Sequence, residues 1–189
     1  VYIWSVYTEC LHGMPSKCPI RVAVPVNLRP YFNSITTKNF FVMVSAEFHP
    51  TKETYTFAEV AAIVKESLRS QINRENLEKL FSYNVSNEKL LIARVVPLFL
   101  KNLAMKYVYT TSALANTATI TNIGNISVTE EYRPYVEMFH AFLAMSKGQH
   151  LKGTICSYGD TLVFSFSYDL VDASVQRGFF RKIASDGIA

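Results

Sequence analysis

The hydrophobic period of this chain switches between a repeat of two and one of three to four residues, and that limits the folds open to it more than any other feature. Ile20, Val22, Val24 and Val26 alternate with Arg21 and Ala23. From Phe40 to Phe48, Phe40, Val42, Val44 and Ala46 fall on one face and Phe41, Met43 and Ser45 on the other. A repeat of two is the signature of a strand. Between these runs and the final third, Phe57, Val60, Ala61, Val64, Leu68 and Ile72 recur at three- and four-residue steps, which places one apolar stripe on a helix. The strand repeat returns at Thr117 to Ile123, Lys152 to Ser157 and Leu162 to Tyr168. Strands grouped with flanking helices, without a strict βαβ series, predict an α/β (α+β) fold with a mixed sheet flanked by helices.

The ends of these elements are also marked. Residues 1 to 12 read as the last turns of a helix stopped by Gly13 and Pro15. Asn27-Leu28-Arg29-Pro30 leaves the sheet, because a residue before proline is biased away from helix, and a polar loop follows to about Lys38. Thr56 and Glu59 have the spacing of a capping box, so a helix starts at Phe57. Leu77, Leu80 and Phe81 predict a short second helix; a third runs from about Asn87 to Tyr107, kinked or divided by Pro97. Tyr135 to Ala144 fits neither period. Ser157-Tyr158-Gly159-Asp160 turns a hairpin, and Asp169 or Asp172 caps a last helix containing Val175, Phe179, Phe180 and Ile183, ending before Gly187.

Composition narrows the function classes. With 189 residues and 49% hydrophobic side chains, the chain suits one core and needs neither a disulfide framework nor a structural metal. Cys10, Cys18 and Cys156 are odd in number and have no C-x-x-C spacing, which points to a reducing, cytoplasmic setting and away from a zinc site. No apolar run approaches the roughly 18 residues of a membrane span, so no transmembrane segment is expected. The net charge of +4 is spread thinly, with no basic cluster, which argues against nucleic acid and leaves room for an anionic small ligand. The start at Val1, with neither a methionine nor a basic leader, reads as a piece of something longer.

The four histidines are the obvious acid/base groups. His12 falls at a helix end, His49 precedes a proline at a strand end and His150 lies in a polar loop, all surface contexts. His140, between Phe139 and Ala141, reads as a structural histidine. None has a serine, cysteine or aspartate at a motif-like distance. The sequence also lacks G-x-S-x-G, H-E-x-x-H, the Walker A loop and G-x-G-x-x-G.

Three polar elements beside strands remain: Asn27-Leu28-Arg29-Pro30, Lys38-Asn39-Phe40-Phe41 and Thr121-Asn122-Ile123-Gly124-Asn125. Singly, each is ordinary turn chemistry, with Arg29 suited to pinning a loop through a carboxylate. In this order they resemble a family. The run Pro19 to Arg29, then Asn39-Phe40-Phe41, then Thr121-Asn122-Ile123-Gly124, is similar to the C-terminal half of the chloramphenicol acetyltransferase-like superfamily, with nonribosomal condensation domains, wax ester synthases and alcohol acetyltransferase-like proteins among its members. Tyr168-Asp169 and Phe179-Phe180 resemble the end of condensation-type domains. The resemblance covers the chain from Pro19 onward and implies a C-terminal lobe over residues 19–189, with residues 1–15 the tail of a helix from an N-terminal lobe.

What the resemblance implies for chemistry is an acyl transfer from coenzyme A, or a carrier-protein pantetheine, to an alcohol or amine, the two lobes enclosing a tunnel. The family's base is the histidine of an H-x-x-x-D motif in its N-terminal half. Here the residues four places after each histidine are Ser16, Glu53, Ala144 and Thr154, so the base lies outside this chain. On this resemblance Thr121 and Asn122 form the oxyanion wall, Asn122, Gly124 and Asn39 meet substrate, and Asn27 and Arg29 brace loops. No metal is expected, and the acyl thioester enters as substrate. The partners would be the N-terminal lobe, the thioester and the acceptor, with self-association through whatever face the other lobe covers. A non-catalytic condensation-like binding module is the competing expectation, motivated by the absent base.

Overall fold

A computed structural model describes residues 1–89 and 96–188. Helix α1 (Tyr2–Ser5) widens into a π-helical turn (Val6–Cys10) and stops where His12 and Gly13 adopt φ of +51° and +72°. Strand β1 (Ile20–Asn27) leads to the short helix α2 (Arg29–Phe32), and β2 (Phe41–Phe48) to α3 (Phe57–Gln71). The Thr56 hydroxyl accepts from the Glu59 N–H at 3.3 Å, and the Glu59 carboxylate accepts from the Thr56 N–H at 2.8 Å, closing the expected capping box. After α4 (Arg74–Lys89) and α5 (Leu98–Leu114) come β3 (Ala118–Asn125), β4 (Leu151–Tyr158), β5 (Thr161–Tyr168) and α6 (Ser174–Ser185).

The chain is therefore an α+β protein built on one mixed five-stranded sheet in the order β2-β1-β3-β4-β5. β1 and β2 are antiparallel, β1 to β3 and β3 to β4 are parallel, and β4 and β5 form the expected hairpin. Side chains alternate across the sheet. Ile20, Val22, Ala46, Phe48, Ala118 and Leu151 meet Tyr2, Val6, Val60, Val175 and Phe179 in the main core, so α1, α3 and α6 lie on one face. A second cluster of Leu28, Val42, Val44 and Leu77 brings α4 onto the same face. Gly153 on β4 packs closely: a Cβ there would stand 3.1 Å from the Phe164 ring and 3.3 Å from Ile120.

Three expectations need correction. The helix around Leu77 is not short, running from Arg74 to Lys89 and so absorbing the first residues assigned to the next one. That next helix starts at Leu98, directly after Pro97, and continues past Tyr107 to Leu114. Proline at a helix start loses nothing, because its missing N–H has no partner there. Residues 90–95 of the expected helix lie outside the described residues. Finally, neither Asp169 nor Asp172 is the N-cap of α6, a position held by Ala173; the Asp169 carboxylate takes a hydrogen bond from His150 at 2.9 Å, and Asp172, one residue before the cap, accepts from the Ser174 N–H and hydroxyl. Gly187, at φ +79°, ends the helix as its pattern requires.

The opposite face of the sheet carries no helix of the cores just described. Residues 126–150, mostly irregular, cross it instead. Lys152 and Cys156 of β4 are buried beneath, Lys152 donating to the Ala144 carbonyl at 2.7 Å and the Ser146 hydroxyl at 2.9 Å, and the Cys156 thiol to the Phe139 carbonyl at 3.2 Å. Tyr135 to Ala144, which matched neither period, is thus a strap fixed by contacts distant in sequence.

Candidate functional site

The cleft begins with a proline. Pro25 stands in β1, between β2 and β3, and has no N–H to offer a ladder. β1 stays paired with β2 through Asn27, but its pairing with β3 covers only Val22 with Ala118 and Ala23 with Thr119. Beyond Ala23 the two parallel strands part at their carboxyl ends, the position where open sheets with parallel strands commonly receive ligands. On the face away from the helices this gap opens into a cleft of about 470 Å³.

All three polar elements singled out in the sequence reach this cleft. Its lining includes Asn27 from the end of β1, Arg29 from the start of α2, Thr37 to Phe40 from the following loop, and Thr119, Thr121 and Asn122 from β3, with Pro25, Phe41, Met43 and Leu143 as apolar surface. Arg29 builds one wall. Its Nε donates to the Thr36 carbonyl at 3.0 Å, one terminal nitrogen to the Lys38 carbonyl at 2.7 Å and the other to Asn27 Oδ1 at 3.3 Å. Asn27 Oδ1 also accepts from the Arg29 N–H, and Leu28 N–H donates to the Phe40 carbonyl. The guanidinium holds its loop through backbone carbonyls, not through the carboxylate expected from sequence.

Across the cleft, Thr121 is half-buried and Asn122 exposed. Asn122 Oδ1 accepts from the Gly124 N–H at 2.9 Å, across an irregularity where the β3–β4 register shifts. Gly124 takes φ +86° there, which glycine alone adopts without strain. This bond uses the amide oxygen and leaves the amide nitrogen as a donor at the cleft. Gly124 itself is not among the lining residues; it turns the chain that carries Asn122. Asn39 is exposed on the facing loop.

The cleft has basic side chains, Arg29 and Lys38, and hydroxyl and amide donors; its described lining contains no histidine, carboxylate or thiol. Such a surface has the chemistry to hold and polarise an anionic or carbonyl-bearing ligand, and its described lining offers no imidazole, carboxylate or thiol as a general base. All four histidines are exposed and none is in the described lining, His49 meeting the Ser16 carbonyl, His150 the Asp169 carboxylate and His140 stacking on Phe142. His140 is exposed despite its apolar neighbours. Among the described residues no His/Cys/Asp/Glu group is arranged to hold a metal. Pro25 was the missed signal: a proline inside a strand run marks where pairing must end, though which neighbour it loses depends on the sheet order.

A second cavity, about 390 Å³, lies under the helices against Trp4, Val24, Val64, Ile120 and Phe164. It is apolar and lacks convergent polar groups. Among the described residues no helix is long and apolar enough to cross a membrane. No protein-family model matches the chain, and no curated protein matches it in sequence.

Proposed function

We propose that this chain is the C-terminal lobe of an acyltransferase of the chloramphenicol acetyltransferase-like kind, moving an acyl group from a coenzyme A thioester to an alcohol or amine. The observation that carries the reading is convergence. Three short elements, separated by up to ninety-odd positions and together resembling that family, line one cleft on the sheet face away from α1, α3, α4 and α6. In this reading the Thr121 hydroxyl and the Asn122 amide nitrogen donate to the oxyanion of the tetrahedral intermediate, Asn39 orients the substrate and Arg29 keeps the facing loop in place. A histidine supplied by an N-terminal lobe takes the acceptor's proton, and Asn122 is pre-oriented by its bond to Gly124. Preorganised donors of this kind are worth about 3 kcal/mol each in the transition state.

The absence of a base from the described lining favours a second reading, a non-catalytic condensation-like module that uses the cleft for docking. Turnover of short alcohols with acetyl-CoA, measured on the full-length gene product, separates the two. Asn122→Ala and Thr121→Val are expected to lower kcat roughly a hundredfold each with little change in KM. No product from a broad thioester panel would favour the module.

A further inference from the structure

We propose that the apolar cavity beneath the helices is a binding site for an unbranched aliphatic chain, that of a straight-chain alcohol or of an acyl group. Its floor is the sheet. Each of the five strands reaches it, from Ala46 on β2 to Leu162 on β5, while α3 and α6 border it through Val64 and Ile183. At about 4.8 Å between neighbouring strands the floor extends about 19 Å. A volume of about 390 Å³ drawn out along that floor is a narrow channel, the shape of one hydrocarbon chain.

Two properties distinguish this space from a packing fault. The first is that its walls are braced elsewhere. On α3, Gln71 Nε2 donates to the Ser45 carbonyl of β2 at 2.8 Å, and the Ser67 hydroxyl accepts from the Glu47 N–H at 3.1 Å. Tyr7 stands edge-on to Phe48 and Tyr55 and so fixes the turn after α1, and Phe179 fixes α6 against Phe164 and Phe166. The helices cannot close over the gap without giving up these contacts, so the space persists.

The second property is a lining made of hydrocarbon. Apart from the Tyr2 hydroxyl and the Trp4 indole N–H, the described lining side chains carry no hydrogen-bonding group. Water is held in a cavity by two to four polar partners, whereas a chain of methylenes regains the dispersion contacts that the lining lacks on its open side. The cavity reaches the surface at Ala61 and Leu162, both exposed, so a chain can enter without the fold opening. Ile120 borders this cavity while Thr119 and Thr121, its neighbours on β3, border the cleft on the other face. The proposal therefore does not depend on the acyl-transfer reading.

Trp4 is the only tryptophan of the chain and borders the cavity, so its emission reports occupancy. Titrating the 189-residue chain with straight-chain alcohols from butanol to octanol should give a saturable change, the dissociation constant falling about fourfold with each added methylene. Octanoate run beside octanol separates the two sources: tighter binding of octanoate identifies an acyl chain, tighter binding of octanol a neutral one. Ala61→Leu fills part of the channel and Leu162→Asn sets an amide at its mouth. Both positions are exposed, so the far-UV spectrum should hold while octanol binds about tenfold more weakly or worse. Emission that changes without saturating, or affinity indifferent to chain length, would overturn the proposal. So would the cage alcohol adamantanol binding as tightly as octanol, or octanol affinity unchanged in both variants.

Discussion

Single residues hold this fold at places where one atom decides. Gly153→Ala places a methyl 3.1 Å from the Phe164 ring and 3.3 Å from Ile120, so both side chains must shift by a few tenths of an ångström, into the apolar cavity they border. A loss of about 1 kcal/mol, the low end of overpacking, is expected and is read as a lower denaturant midpoint at unchanged slope. Thr56→Ala removes the hydroxyl that accepts from Glu59 N–H and should cost about 1 kcal/mol by the same measurement. Glu59 gives that cap a pH dependence. The hydrogen bond from the Thr56 backbone, then that from its hydroxyl, holds the Glu59 carboxyl below its ordinary value. A carboxyl depressed in the folded state stabilises above its unfolded pKa and loses that contribution as pH falls through the folded value. Acid titration of stability should therefore be shallower in Glu59→Gln than in the parent across the acidic range below about pH 4.3.

At the scale of elements, α5 is the anomaly. Leu98, Phe99, Leu103, Met105 and Tyr107 are each more than 60% exposed, on a helix that water alone would stabilise poorly. Replacing Phe99 and Leu103 by glutamine should lower binding of an apolar dye while leaving the unfolding midpoint nearly unchanged, because little packing is lost. A large fall in the midpoint would mean that these side chains are buried in solution. The strands, the capped helix α3 and the final helix were legible because local repeats and end signals agree with their packing. Helices α4 and α5 were not, since neither Leu77 nor Pro97 fixes how far a helix extends. The strap across β4 was unreadable for a different reason: its bonds come from Lys152 and Cys156, which follow it in the chain and belong to another element.

For the whole molecule, the cleft depends on sheet order. Pro25 opens a gap only because β3, which begins more than ninety residues later, is the neighbour on that side. Sequence alone supplied the polar elements but not their convergence or the way Arg29 braces its loop through carbonyls. Helices α1, α3, α4 and α6 pack on one face of the sheet, and the donor-lined cleft opens on the other. The most direct measurement is amide chemical-shift mapping with acetyl-CoA titrated into the isotopically labelled chain to millimolar concentration, where binding of only about −4 kcal/mol is visible. Shifts concentrated at Asn39, Thr119, Thr121 and Asn122, and diminished in Asn122→Ala, are the expected result. Saturable shifts elsewhere with these four unmoved, or no shifts at all, would contradict a thioester site in this cleft.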